Sequence, residues 1–72
     1  MNLNQAVEGK EYEIKSIVTA DEELDAFLFS LGCYSGEYIT VVSRKKKMCI
    51  VSIKDSRYCI DNALAAAIEV VE

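Results

Sequence analysis

The stretch from Tyr38 to Ile60 constrains the fold more than any other part of the chain. It holds three runs rich in β-branched and aromatic residues: Tyr38-Ile39-Thr40-Val41-Val42, Met48-Cys49-Ile50-Val51-Ser52-Ile53 and Arg57-Tyr58-Cys59-Ile60. Residues of that kind at a spacing of two build strands, and the short polar breaks between them permit only antiparallel hairpins. Arg44-Lys45-Lys46-Lys47 makes the charged tip of one hairpin, and Asp55-Ser56 reads as a two-residue turn in the next. That turn sets Ile53 opposite Tyr58 and Val51 opposite Ile60. One face then carries Cys49, Val51, Ile53, Tyr58 and Ile60, and the other Ser52, Lys54, Arg57 and Cys59. A half-buried antiparallel sheet requires such a division, and a slip of one residue would destroy it.

Further features mark the remaining elements. Tyr12, Ile14, Ile17 and Val18 follow a turn at Glu8-Gly9-Lys10 and predict a first strand over about residues 11–18. Its alternation slips before Ile17, which predicts a bulge of the kind small barrels use to turn corners. Leu24, Phe27, Leu28 and Leu31 then fall on one face of a 3.6-residue period. Thr19 and Glu22 fit a capping box, and Gly32 suits the left-handed residue that ends such a helix. Asp61 to Ala67 predicts a short helical turn, and Ile68-Glu69-Val70-Val71 a last strand. The expected fold is mainly β: a small five-stranded barrel with one helix inserted after the first strand and a helical turn before the last.

With 72 residues the expectation is one domain spanning 1–72. So short a chain needs disulfides, a metal or a very apolar interior, and 51% hydrophobic residues without proline point to the last. A net charge of −4 argues against a general nucleic-acid binder. No apolar run approaches the roughly 18–20 residues that span a bilayer, so direct membrane insertion is not expected. Met1 to Gln5 shows neither the basic nor the apolar region of a signal peptide. Three cysteines without framework spacing fit a reducing, cytoplasmic compartment.

The order of elements, with the phrases between them, resembles the FeoA family of small SH3-like domains, the A component of bacterial ferrous iron transport. Val7-Glu8-Gly9-Lys10 leads into Ile14-x-x-Ile17, and Leu28-x-x-Leu31-Gly32 closes the helix before Ser35-Gly36 and Ile39-x-Val41. Tyr58-x-Ile60 and Ala65-x-x-Ile68-Glu69-Val70 resemble the family's last two strands. Ser35 stands where the family usually has proline, Asp55 where glycine is common, and the 44–47 tip is compact. The resemblance implies an accessory protein that docks on the cytosolic GTPase part of the ferrous iron transporter, a FeoB-like GTPase and permease.

The residues themselves offer little for catalysis. There is no histidine, no nucleophile beside a base and no Cys-x-x-Cys pair, so neither an enzyme nor a cofactor or metal site is expected. Cys33, Cys49 and Cys59 read as small packing residues, with Cys49 inward and Cys59 outward. Asp21, Glu22, Glu23 and Asp25 read as a solvated helix start complementing the dipole. What remains is surface. Phe29 lies off the apolar stripe, Tyr34 and Tyr38 flank the turn at Gly36, and Ile50 falls on the outward face of its strand. These four are the candidate docking patch, with Arg44, Lys45, Lys46 and Lys47 as charges that tune the partner. The alternative is an SH3-like metal-responsive or nucleic-acid-associated module that uses the basic tip or the acidic cluster.

Overall fold

A computed structural model describes residues 1–72. A 3-10 turn at Leu3–Gln5 opens the chain. Then follow β1 (Glu11–Ile17), α1 (Glu22–Ser30), β2 (Tyr38–Arg44), β3 (Met48–Ile53), β4 (Ser56–Asp61), α2 (Asn62–Ala66) and β5 (Ile68–Val70). The five strands form one antiparallel sheet in the order β4-β3-β2-β1-β5. β1 is shared between two neighbours: Glu11 to Glu13 pair with β2, and Ile14 to Ile17 pair with β5. The register shifts between Ile14 and Ser16, where the slip in alternation predicted a bulge. A second shift between Val41 and Ser43 bends β2 against β3. Bulges increase local twist, and two of them curl this sheet into a partly closed barrel.

The barrel interior is wholly apolar. Fifteen buried residues form one cluster that includes Ile14, Ile39, Val41, Cys49, Val51, Ile60, Ala65 and Ile68, and no polar residue is buried with them. The opening 3-10 turn was not anticipated from the sequence. It buries Leu3 completely and is tied down by Arg44, whose guanidinium donates to the carbonyls of Leu3 (3.0 Å) and Ala6 (2.9 Å). Arg44 is thus the last residue of β2, not part of the solvated hairpin tip.

The β3–β4 hairpin corrects the expected register. Ile53 pairs with Ser56, Val51 with Tyr58 and Cys49 with Ile60, so the loop is Lys54-Asp55 and not Asp55-Ser56. Both loop residues have positive φ, 49° and 67°. Such a loop matches the right-handed twist of the flanking strands. Relative to the expected pairing, each β4 residue meets a partner two positions away. A shift of two returns every side chain to the same face, so the apolar set is unchanged and the hydrophobic pattern does not distinguish the two registers.

Candidate docking surface

α1 begins and ends on specific hydrogen bonds. Asp21, not Thr19, is its N-cap: the carboxylate accepts from the main-chain N–H groups of Glu23 (2.9 Å) and Leu24 (3.4 Å). The Thr19 hydroxyl instead donates to the Asp21 carbonyl and the Asp25 carboxylate. At the other end the Cys33 N–H donates to the Leu28 carbonyl (2.9 Å) and the Gly32 N–H to that of Phe29 (3.0 Å). This is a Schellman closure, and it requires the left-handed φ of +90° that Gly32 adopts. Leu28 and Cys33, the pair such a closure brings together, are both about 1% exposed.

Between those ends the helix is attached lightly. Of the apolar stripe on this helix, only Leu28 is buried; Leu24 and Phe27 are 38% and 52% exposed, and Leu31 is half-buried. The strands, α2 and the opening turn already fill the interior, so a nine-residue helix finds room there for one large side chain. Phe29, off the stripe, is 66% exposed. It packs on the half-buried Tyr34 with ring centroids 5.0 Å apart, tilted by 36°. A shallow groove of about 220 Å³ beside this pair is lined by Ile17, Asp25, Cys33 and Ser35.

The cation beside this pair is Lys54, which sequence reasoning missed by placing it in a strand. Its ammonium donates to the Tyr34 hydroxyl (2.7 Å), stands 5.1 Å from the centre of that ring and lies 3.7 Å from the Glu37 carboxylate. The Tyr34 hydrogen bond, with Glu37 adding to it, holds this ammonium above its ordinary range. A Cβ on Gly32 would stand 3.3 Å from the Lys54 side chain, so the glycine also makes room for the lysine stem. The one available signal was turn chemistry at positions 54 and 55, which binary patterning does not read.

The other expected residues are spread over the surface. Tyr38, 54% exposed, opens β2 on the outward face opposite Glu13. Ile50 is half-buried on that face, opposite Cys59 and next to Ser43, toward the far end of β2. Lys45, Lys46 and Lys47 are exposed at the β2–β3 turn, which Asn62 clamps through the carbonyls of Lys46 and Lys47. That turn and Lys54 lie at opposite ends of β3, roughly 20 Å apart at about 3.3 Å per strand residue. The patch therefore comprises Phe29 and Tyr34 in contact, with Tyr38 at the same end and the basic tip remote.

The cysteines are free. Burial pushes the Cys33 thiol up to about 11 and raises that of Cys49, against the nearby Arg44 charge. Cys59 is exposed, with its sulfur 3.1 Å from that of Met48. No three side chains among His, Cys, Asp and Glu gather where they could hold a metal. No helix is long and apolar enough to cross a membrane.

The FeoA domain profile matches residues 1–72. A Helicobacter pylori protein provisionally named Fe(2+) transport protein A is 37% identical over 57 residues, covering 79% of this chain and 73% of its own. Among solved structures, an iron uptake regulatory protein (FeoA) superposes with a TM-score of 0.86 at 22% identity, over 97% of this chain and 93% of that one. The zinc complex of Stenotrophomonas maltophilia FeoA, described as a prokaryotic SH3 domain protein, gives 0.85 at 18% identity, over 99% and 89%. A manganese-dependent transcriptional repressor gives 0.88 at 23% identity over 99% of this chain, which spans only 40% of that protein. The structural likenesses show a shared fold, and the profile and the Helicobacter relative show kinship. The chain belongs to the FeoA family, the small SH3-like accessory domains of ferrous iron transport.

Proposed function

We propose that this protein is a non-enzymatic accessory factor of ferrous iron uptake that docks, in the cytoplasm, on the GTP-binding part of the iron transporter. The supporting observation is an exposed aromatic, Phe29, packed on Tyr34 and held out on a helix fixed at both ends. Exposed aromatics on a rigid support lose little side-chain entropy on binding and suit the buried centre of an interface. Tyr34 and Tyr38 extend that surface, and Lys54 supplies a cation at its rim. Lys45, Lys46 and Lys47 serve a second, separate contact at the far end, where rim charges steer encounter more than they hold the complex.

A pull-down with the isolated GTPase domain tests this, using wild type and the variants Phe29→Ser and Tyr38→Ser. Loss of a central aromatic costs about 2 kcal/mol, roughly thirtyfold in Kd. Undiminished binding by both variants would remove the patch, and absence of binding by wild type would remove the role. The rival reading, a nucleic-acid-associated module, draws on the three lysines, none of which forms an ion pair. It requires salt-sensitive RNA or DNA binding that is lost when Lys45, Lys46 and Lys47 are neutralised together.

A further inference from the structure

The sheet order leaves β4 at an edge, and the turn chemistry shows which of its main-chain groups are free. Lys54 and Asp55 form a two-residue loop, so the pair that closes it, Ile53 and Ser56, exchanges hydrogen bonds. In an antiparallel pair such positions alternate. Tyr58 and Ile60 therefore bond to β3, while the N–H groups of Arg57, Cys59 and Asp61 point away from it. The side chains of those three residues are exposed and share the outward face. Edge strands normally carry charges that repel another strand. Here the charges are placed differently: Arg57, which forms no ion pair, and Asp61 lie two residues on either side of Cys59.

We propose that β4 is a self-association edge, pairing antiparallel with β4 of a second copy about a two-fold axis through Cys59. In that register Arg57 lies opposite the partner's Asp61 and Asp61 opposite the partner's Arg57, so the charges that would blunt a mismatched strand attract this one. One oxygen of the Asp61 carboxylate accepts from the Leu64 N–H (2.7 Å), which leaves the other for the partner's arginine. On the inner face Tyr58 meets the partner's Ile60, extending the apolar layer across the axis. Sliding the strands by one residue sets unlike faces together, and sliding them by two sets Arg57 or Asp61 opposite an uncharged Cys59, so either removes the match. The interface is isologous and closes at two copies. It uses neither Phe29 nor Lys54, so it stands or falls apart from the docking face.

Sedimentation velocity under reducing conditions tests this directly. The mass should rise with concentration from 8.0 kDa toward twice that value. Arg57→Asp places carboxylates opposite carboxylates at both ends of the pair and should shift the midpoint to at least tenfold higher concentration, with the thermal melt of the dilute protein unchanged. Residues directly opposite in a hydrogen-bonded pair have Cα atoms about 5.5 Å apart, within disulfide reach. The thiol oxidant diamide should therefore give a covalent dimer with wild type and none with Cys59→Ser. A protein that stays at 8.0 kDa throughout, or a dimer indifferent to Arg57→Asp, overturns the proposal.

Discussion

Glycine placed separately at Asp55 and at Ser56 should change stability in opposite directions, because only one of the two residues is left-handed. Asp55 has a φ of +67°, and Ser56 begins β4 opposite Ile53. A non-glycine residue in that region costs about 1 kcal/mol, at the low end for aspartate because its short polar side chain tolerates it. Asp55→Gly removes that cost, while the greater freedom of glycine in the unfolded chain takes back about 0.5 kcal/mol. The net expectation is a gain of about 0.5 kcal/mol. Ser56→Gly relieves nothing and weakens a strand, losing about 0.5–1 kcal/mol. For a domain of this size 1 kcal/mol moves the Tm by about 4–8 °C. The two variants should therefore melt roughly 5–10 °C apart, with Asp55→Gly the higher. Scanning calorimetry, supported by urea melts to confirm equal m values, reads the difference. In the alternative loop Asp55-Ser56, glycine at 56 would relieve strain instead. A Ser56→Gly variant as stable as wild type would refute the register and, with it, the assignment of which β4 groups are free.

Two other substitutions test how the barrel is tied together. Arg44→Met keeps the stem but strips hydrogen bonds from the Leu3 and Ala6 carbonyls, and should cost about 2–3 kcal/mol in urea unfolding, with Arg44→Lys restoring part of it. The Cys33 thiol, pushed up to about 11 by burial, should make the fold weaken in alkali. Above its ordinary value of 9.0 the unfolded chain releases this proton while the folded chain keeps it. Stability is therefore full below that pH and falls as pH rises toward the folded value, by at most about 1.4 kcal/mol per unit. Stability measured from pH 8 to 10.5 should fall less steeply for Cys33→Ala than for wild type.

How much of this was legible in the sequence depends on which physical signal carried each part. Strand existence, the bulge before Ile17 and the glycine at the helix end were all readable, because alternation and left-handed positions leave local marks. The N-cap went to Thr19 because a capping box satisfies the pattern, whereas Asp21, two residues on, presents a carboxylate to two N–H groups. The exposure of Leu24 and Phe27 has no local mark for a different reason. Periodicity says which residues share a helix face, but the volume left inside the barrel decides whether that face is covered. Arg44 looked like one more charge in a basic run; its long-range bonds to residues forty positions upstream have no local signature. The same holds for Lys54, whose partners Tyr34 and Glu37 are brought to it only by the hairpin turn.

The division of labour within so small a chain follows from where the apolar residues go. The strands, α2 and the opening turn with its cap Ala6 supply all but two of the core side chains, and the segment from α1 to its closing turn adds only Leu28 and Cys33. Those two are the residues the Schellman closure joins, so one local motif both ends the helix and pins it to the barrel. A helix held at that point and by a carboxylate cap at its start need not spend its remaining apolar side chains on folding. Phe29 is therefore free to meet another surface, and changing it should leave the barrel intact. That separation is what a docking element requires: the residues that would bind are not the residues that fold.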